Sequence, residues 1–141
     1  MLDQLSVFVA NKKGRVAKVC RVLADAGINM HSLFVADTED FGVVRIFCDT
    51  PPAAALALRD AGFRAGVAKV IGVCLPNEPG GLAKMLEFLD EQGVDVQYLY
   101  CFLSDAQSAI DVLKVDDAGV EELLAGAGYQ IVAPEDIYQV D

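Results

Sequence analysis

The chain has 141 residues, enough for one ordinary domain or two very small ones. Hydrophobic residues make up 54% and charged residues 23%, a globular composition that excludes a disordered chain. Acidic residues outnumber basic ones 21 to 11, and a net charge of −10 argues against nucleic acid as a partner, because phosphate affinity needs many cations. The longest apolar run, Val70 to Leu75, is far too short to span a bilayer, and no charged-then-apolar leader opens the chain. The reading is a cytoplasmic protein with no membrane association.

The charge is uneven. Residues 1–70 carry nine basic and seven acidic side chains; residues 71–141 carry two and fourteen. Lys12, Lys13, Arg15, Lys18 and Arg21 crowd into ten positions. Four cysteines stand at 20, 48, 74 and 101, with no C-x-x-C pair. Each lies in an apolar pattern, so all four are expected to be core residues, without disulfides. One histidine and scattered thiols give no metal site.

In chain order, residues 3–10 read as a strand. Asn11 to Gly14 form a turn. Val16, Val19, Cys20 and Leu23 stand at i, i+3, i+4 and i+7, the stripe of a helix. Gly27 stops it. Residues 28–36 and 41–48 read as a strand hairpin turning at Thr38-Glu39-Asp40. Thr50-Pro51-Pro52 opens an alanine-rich helix, with proline accepted in the first turn and Gly62 closing it. Residues 63–67 begin a fourth strand. The order is strand, helix, strand, strand, helix, strand.

The sequence then repeats itself. A shift of 66 positions brings Asn11, Gly14, Ala17, Lys18, Leu23, Gly27 and Leu58 onto Asn77, Gly80, Ala83, Lys84, Leu89, Gly93 and Leu124. Ile46 falls on Val112, Phe63 on Tyr129, and Arg45 on Asp111. A tandem duplication follows, with Leu82, Met85, Leu86 and Leu89 as the second helix stripe. Units at 1–68 and 69–141 are expected, with no flexible linker. The class is α+β: two ferredoxin-like βαββαβ units, each an antiparallel sheet with its helices on one face. The strands at 7–10, 43–48 and 70–75 run apolar on both faces, so the second sheet face is expected to be covered by another subunit, in a homodimer.

The loop before each unit's first helix is the most informative segment: Asn11-Lys12-Lys13-Gly14-Arg15-Val16 and Asn77-Glu78-Pro79-Gly80-Gly81-Leu82. Backbone N–H groups at a helix start lack helical partners and, with the helix dipole, suit a carboxylate. Glycine there removes a Cβ that would keep a ligand at a distance. By generic chemistry alone, the loop reads as a turn with a helix start and nothing more.

These residues resemble a known pattern. Pro79-Gly80-Gly81-Leu82-Ala83 through Gly93-Val94-Asp95-Val96, and Gly14, Val16, Ala17 with Ala26-Gly27-Ile28-Asn29-Met30, are similar to the ACT domain, a small-molecule-sensing module of amino-acid metabolism. Asn11 to Arg15, Phe41 to Arg45 and Asp136-Ile137-Tyr138 resemble a family of small bacterial proteins made of two ACT domains. That resemblance implies side-by-side pairing of units. It also implies an amino acid bound where the glycine loop of one unit meets the start of a neighbour's second strand. Carried over, the loop residues are Asn11, Lys13, Gly14, Arg15 and Val16, and Asn77, Pro79, Gly80, Gly81 and Leu82. The strand-start residues are Ile28, Asn29, Met30 and His31, and Val94, Asp95, Val96 and Gln97. The ligand's carboxylate would meet the loop N–H groups, and its amino group a side-chain oxygen such as Asn29 or Asp95. Lys13 departs from the pattern, standing where proline is usual.

No phosphate loop, nucleophile motif or metal set appears, and one histidine is available for acid–base work. The expectation is a non-catalytic regulatory binder of an amino acid or related small carboxylate, with no cofactor and acting on an unidentified enzyme. The alternatives are an enzyme, an RNA-recognition module, or an interaction module without a ligand. The third strand offers only Phe47 as an aromatic, which disfavours RNA.

Overall fold

The structure, a computed structural model, describes residues 1–10, 12–37, 41–103 and 105–141, without the side chains of 37 and 103. Asn11 and the expected turn at Thr38-Glu39-Asp40 lie outside the described residues. The elements are β1 (Leu2–Ala10), α1 (Arg15–Asp25), β2 (Met30–Asp37), β3 (Phe41–Cys48), α2 (Pro51–Asp60), β4 (Arg64–Pro76), α3 (Gly81–Glu91), β5 (Tyr98–Leu103), β6 (Ser108–Lys114), α4 (Gly119–Gly126) and β7 (Gln130–Ile131), with a short 3-10 turn at Pro134–Asp136. None of the helices described is long and apolar enough to cross a membrane.

Two compact units result. One holds residues 3–68 together with 134–141; the other holds residues 1–2 and 69–133. They are called the first and second unit below.

In the first unit β1 pairs antiparallel with β3, and β3 with β2. Leu5, Val7 and Val9 alternate inward, as do Val44, Ile46 and Cys48 opposite them. Val19 and Leu23 of α1 and Ala54, Ala55 and Leu58 of α2 close the core from one side. Each fully buried Val or Leu contributes about 1.5–3 kcal/mol. The other face carries Gln4, Ser6, Arg45 and Phe47. Gln4 Nε2 donates to Ser6 Oγ at 3.0 Å, and Phe47 is fully buried. Part of the cover expected from another subunit comes from the chain's own tail: Tyr138 stacks on Phe47, ring centroids 6.3 Å apart.

The second unit repeats the plan. β4 pairs with β6 and β7, and β6 with β5, all antiparallel. Ile71, Val73, Leu75, Leu113 and Val115 pack against Met85, Leu89, Val120 and Leu124 of α3 and α4. Leu82, assigned above to the helix stripe, is exposed in the first turn of α3.

The repeat is not gapless. Leu5 pairs with Ile46, but its copy Ile71 pairs with Leu113. The third strand of the second unit is therefore offset by 67, not 66. The turn from β5 to β6 spans four residues, against three between β2 and β3. Asp105 closes the longer turn, accepting the N–H groups of Gln107 (2.7 Å) and Ser108 (2.9 Å), and these hydrogen bonds hold its carboxyl below its usual pKa. A one-residue slip moves every side chain to the other face, and the shift restores an apolar inward set. Its consequence corrects the expected equivalence of Arg45 and Asp111. Arg45 corresponds to Val112, while Asp111 corresponds to the buried Val44. Asp111 is itself only 3% exposed, and burial raises its pKa.

The cysteines also divide. Cys48 is buried, Cys20 and Cys74 are half-buried, and Cys101 is exposed on the edge strand β5. The expectation of four core cysteines does not hold for Cys101: it shares the face of Leu99 and pairs with Asp111, but on the edge strand β5 it is left exposed.

Candidate functional site

Both glycine loops form the same turn. Gly14 and Gly80 precede α1 and α3 with φ of 85° and 86°, a left-handed conformation that glycine adopts without strain. Neither helix has a side-chain cap. In the second unit Glu78 N–H donates to Pro76 O, and Gly81 N–H to Glu78 O. The next N–H groups, at Leu82 and Ala83, have no partner within the helix. A Cβ on Gly81 would come 2.9 Å from Pro76 O, whereas nothing lies within 4 Å of one on Gly80. The glycines thus serve the turn itself: Gly80 by its backbone angle and Gly81 by its approach to a carbonyl. At Gly81 the close approach is to the chain's own carbonyl, whereas the space beside Gly80 is open.

Asn77 is likewise occupied. Its N–H donates to Gln107 O at 2.8 Å, and its side-chain amide points to Ala106 O at 3.5 Å. It ties the loop to the β5–β6 turn. Pro79 is exposed. In the first unit, Lys13 is exposed and Val16 half-buried against the core. Arg15 turns inward, its guanidinium 4.6 Å from the centre of the Phe63 ring.

The strand-start residues mostly precede their strands. The β2 ladder begins at Met30 and β5 at Tyr98. Ile28 and Met30 pack against the first core, and Val94 and Val96 against the second. Asn29 is exposed, its carbonyl accepting Asp49 N–H at 3.0 Å. His31 Nε2 lies 2.7 Å from Asp49 Oδ1. Gln97 N–H donates to Lys114 O. Asp95 lines a depression of about 170 Å³ with Asp116 and Asp117, smaller and more acidic than a site for a small acid requires.

Within one unit the loop and the strand start do not meet. They flank opposite ends of an 11-residue helix, about 16 Å long. A site using both would draw them from different units.

The loop of the second unit instead opens onto a groove of about 410 Å³. Glu78, Gly81, Lys84, Tyr129 and Gln130 line it, above Cys74 to Pro76. Lys84, Tyr129 and Gln130 were not among the residues expected from the sequence. The available signal was the pair of unlike residues in the repeat, Arg15 against Gly81 and Phe63 against Tyr129. No group of three or more His, Cys, Asp or Glu side chains able to hold a metal occurs among the described residues.

The fold and the doubled glycine loop agree with comparison against known families. The family of the ACT domain pair matches residues 1–140, and the chain belongs to it. It is similar to a crystal structure of a protein from Bacteroides thetaiotaomicron, at 36% identity and a TM-score of 0.88, covering 96% of this chain and 94% of that one. It is also similar to the ligand-free regulatory subunit of aspartate kinase from Thermus thermophilus, at 15% identity, a TM-score of 0.65 and coverage of 91% and 93%. The corresponding subunit from Thermus flavus matches at 16% identity, a TM-score of 0.58 and coverage of 79% and 81%. At these last two identities the likeness is one of fold. Among curated proteins no match is found.

Proposed function

We propose that this chain is a non-catalytic sensor that binds an amino acid or related small carboxylate and passes its occupancy to an enzyme, in the cytoplasm. The observation that carries the reading is the uncapped start of α3 beside a groove of about 410 Å³, within the range of small-molecule sites. Membership of the ACT domain-pair family supports it. The N–H groups of Leu82 and Ala83 would receive the carboxylate. Asp95, or the equivalent Asn29, would receive an amino group if a neighbouring unit brought its strand start to this loop. Self-association is part of the proposal.

A second reading is an interaction module without a ligand. Its specific support is β2, an edge strand whose Leu33, Phe34 and Val35 are all 40–44% exposed, so that apolar side chains emerge on both faces. Such edges favour pairing with another chain. Calorimetry against a panel of the common amino acids separates the two. Saturable binding of one or a few supports the sensor; no binding at millimolar concentration, with self-association in sedimentation, supports the module.

A further inference from the structure

The two units differ most at one equivalent place. α1 and α3 are both 11 residues long, start after a glycine of the same conformation, and begin with Arg15 and Gly81 respectively. Phe63 and Tyr129 are also equivalent: each donates its N–H to the leucine five residues before it, Leu58 and Leu124. In the first unit the Arg15 guanidinium lies over Phe63, which is only 5% exposed. Arg15 Nε is buried and makes no hydrogen bond among the described residues. The charge is held there by the ring.

In the second unit Gly81 supplies no side chain. Tyr129 is left partly exposed, and the groove stands where the arginine lies in the first unit. The charges around it are reversed. Glu78 replaces Lys12, and Glu87 replaces Arg21. An adjoining hollow of about 390 Å³ shares Lys84 and Tyr129 and adds Glu87 and Glu91. Lys84 is the one cation of the set, and no ion-pair partner for Glu78 or Lys84 occurs among the described residues.

We infer that the Tyr129 groove binds an amino acid with a cationic side chain, its guanidinium or ammonium taking the place that Arg15 fills in the first unit. The tyrosine ring offers such a cation the same kind of face that Phe63 offers Arg15, and Glu78 adds a carboxylate that the first unit lacks. Lys84 joins the N–H groups of Leu82 and Ala83 in receiving the ligand's own carboxylate. The first unit is closed to this ligand by its tethered equivalent, so one ligand binds per chain. The inference rests on the reading of the second unit as an amino-acid binder and names the class.

The test is calorimetry of the full chain with L-arginine, its uncharged isostere L-citrulline, and L-alanine. Arginine should bind about tenfold more tightly than citrulline, with one site per chain. Tyr129→Leu keeps the apolar contact with Phe88, and Glu78→Gln alters an exposed side chain. Each should weaken arginine severalfold while the thermal melt of the free protein stays in place. Equal affinity for arginine and citrulline overturns the inference. So does unchanged arginine binding by a folded Tyr129→Leu and a folded Glu78→Gln protein. If alanine binds and arginine does not, the inference fails and the sensor stands. If none binds at millimolar concentration, the inference fails, and the wider amino-acid panel decides the sensor reading.

Discussion

The Tyr138 hydroxyl oxygen accepts the main-chain N–H of Asp3 at 2.8 Å, across 135 positions of sequence. The tail is fastened further along. Thr50 N–H donates to Gln139 O at 2.7 Å, and Gln139 N–H to Asp49 Oδ1 at 2.7 Å. That same oxygen faces His31 Nε2. Residues 134–141 thereby complete the first unit, to which they belong.

Tyr138 is 5% exposed and stacked on Phe47. Tyr138→Ala should cost about 3 kcal/mol, as a large aromatic is lost from a packed site. Tyr138→Phe should cost about 1 kcal/mol, the hydrogen bond alone. Urea unfolding of the three proteins measures both; equal losses would mean that the hydroxyl, not the ring, holds the tail. The tail is also acid-sensitive. Asp49 is held below its usual pKa, first by the Gln139 N–H and then by His31. A lowered folded pKa gives stability that is present above the unfolded value of 3.8 and lost as pH falls through the folded one. Exchange of the Gln139 amide should gain relative protection as pH rises through the carboxylate range.

Asp111 has the opposite sign. Its folded pKa is raised by burial above the unfolded 3.8. Below both values the group is neutral in either state and costs no charge burial. As pH rises through 3.8 the unfolded chain ionises first, and stability falls until the folded pKa is passed. Asp111→Asn should therefore stabilise the protein at neutral pH, by about 1 kcal/mol. The gain should shrink towards zero in acid. Melts from pH 3 to pH 8 test this, and a gain independent of pH would assign the effect to packing.

The cysteines should react in order of exposure. Burial pushes the Cys48 thiol up to about 12, with Asp49 and Asp141 adding to the shift. Cys101 is exposed. Iodoacetamide followed by peptide mass mapping should label Cys101 first, and Cys48 only after denaturation. Thiolate access, not cysteine count, sets that order. Early labelling of Cys48 in the folded protein would contradict its placement.

The repeat, the strand and helix order and the family were legible in the chain itself. They depend on periodicities of two and near 3.6, and on glycines whose backbone angles few other residues accept. Val16, Val19 and Leu23 report a helix face wherever that helix sits. The core of each unit follows from the same pattern. Candidate site residues were legible only as turn formers: Asn77, Gly80 and Gly81 carry a signal, but the signal is that of the turn.

Tertiary structure decided the rest. A one-residue insertion in the β5–β6 turn is invisible to an alignment that regains its register by α4, yet it exchanges the faces of a whole strand and buries Asp111 in place of a valine. The closure of the first unit by Tyr138 is a contact between distant positions, with no local pattern to announce it. The Tyr129 groove arises from what Gly81 lacks. A missing side chain becomes a cavity only where a second element, here the turn into β7, stands opposite. Sequence periodicity fixes which face of an element is apolar, whereas pairing register and distant contacts depend on free-energy differences spread over many residues, and those exist only once the chain has folded.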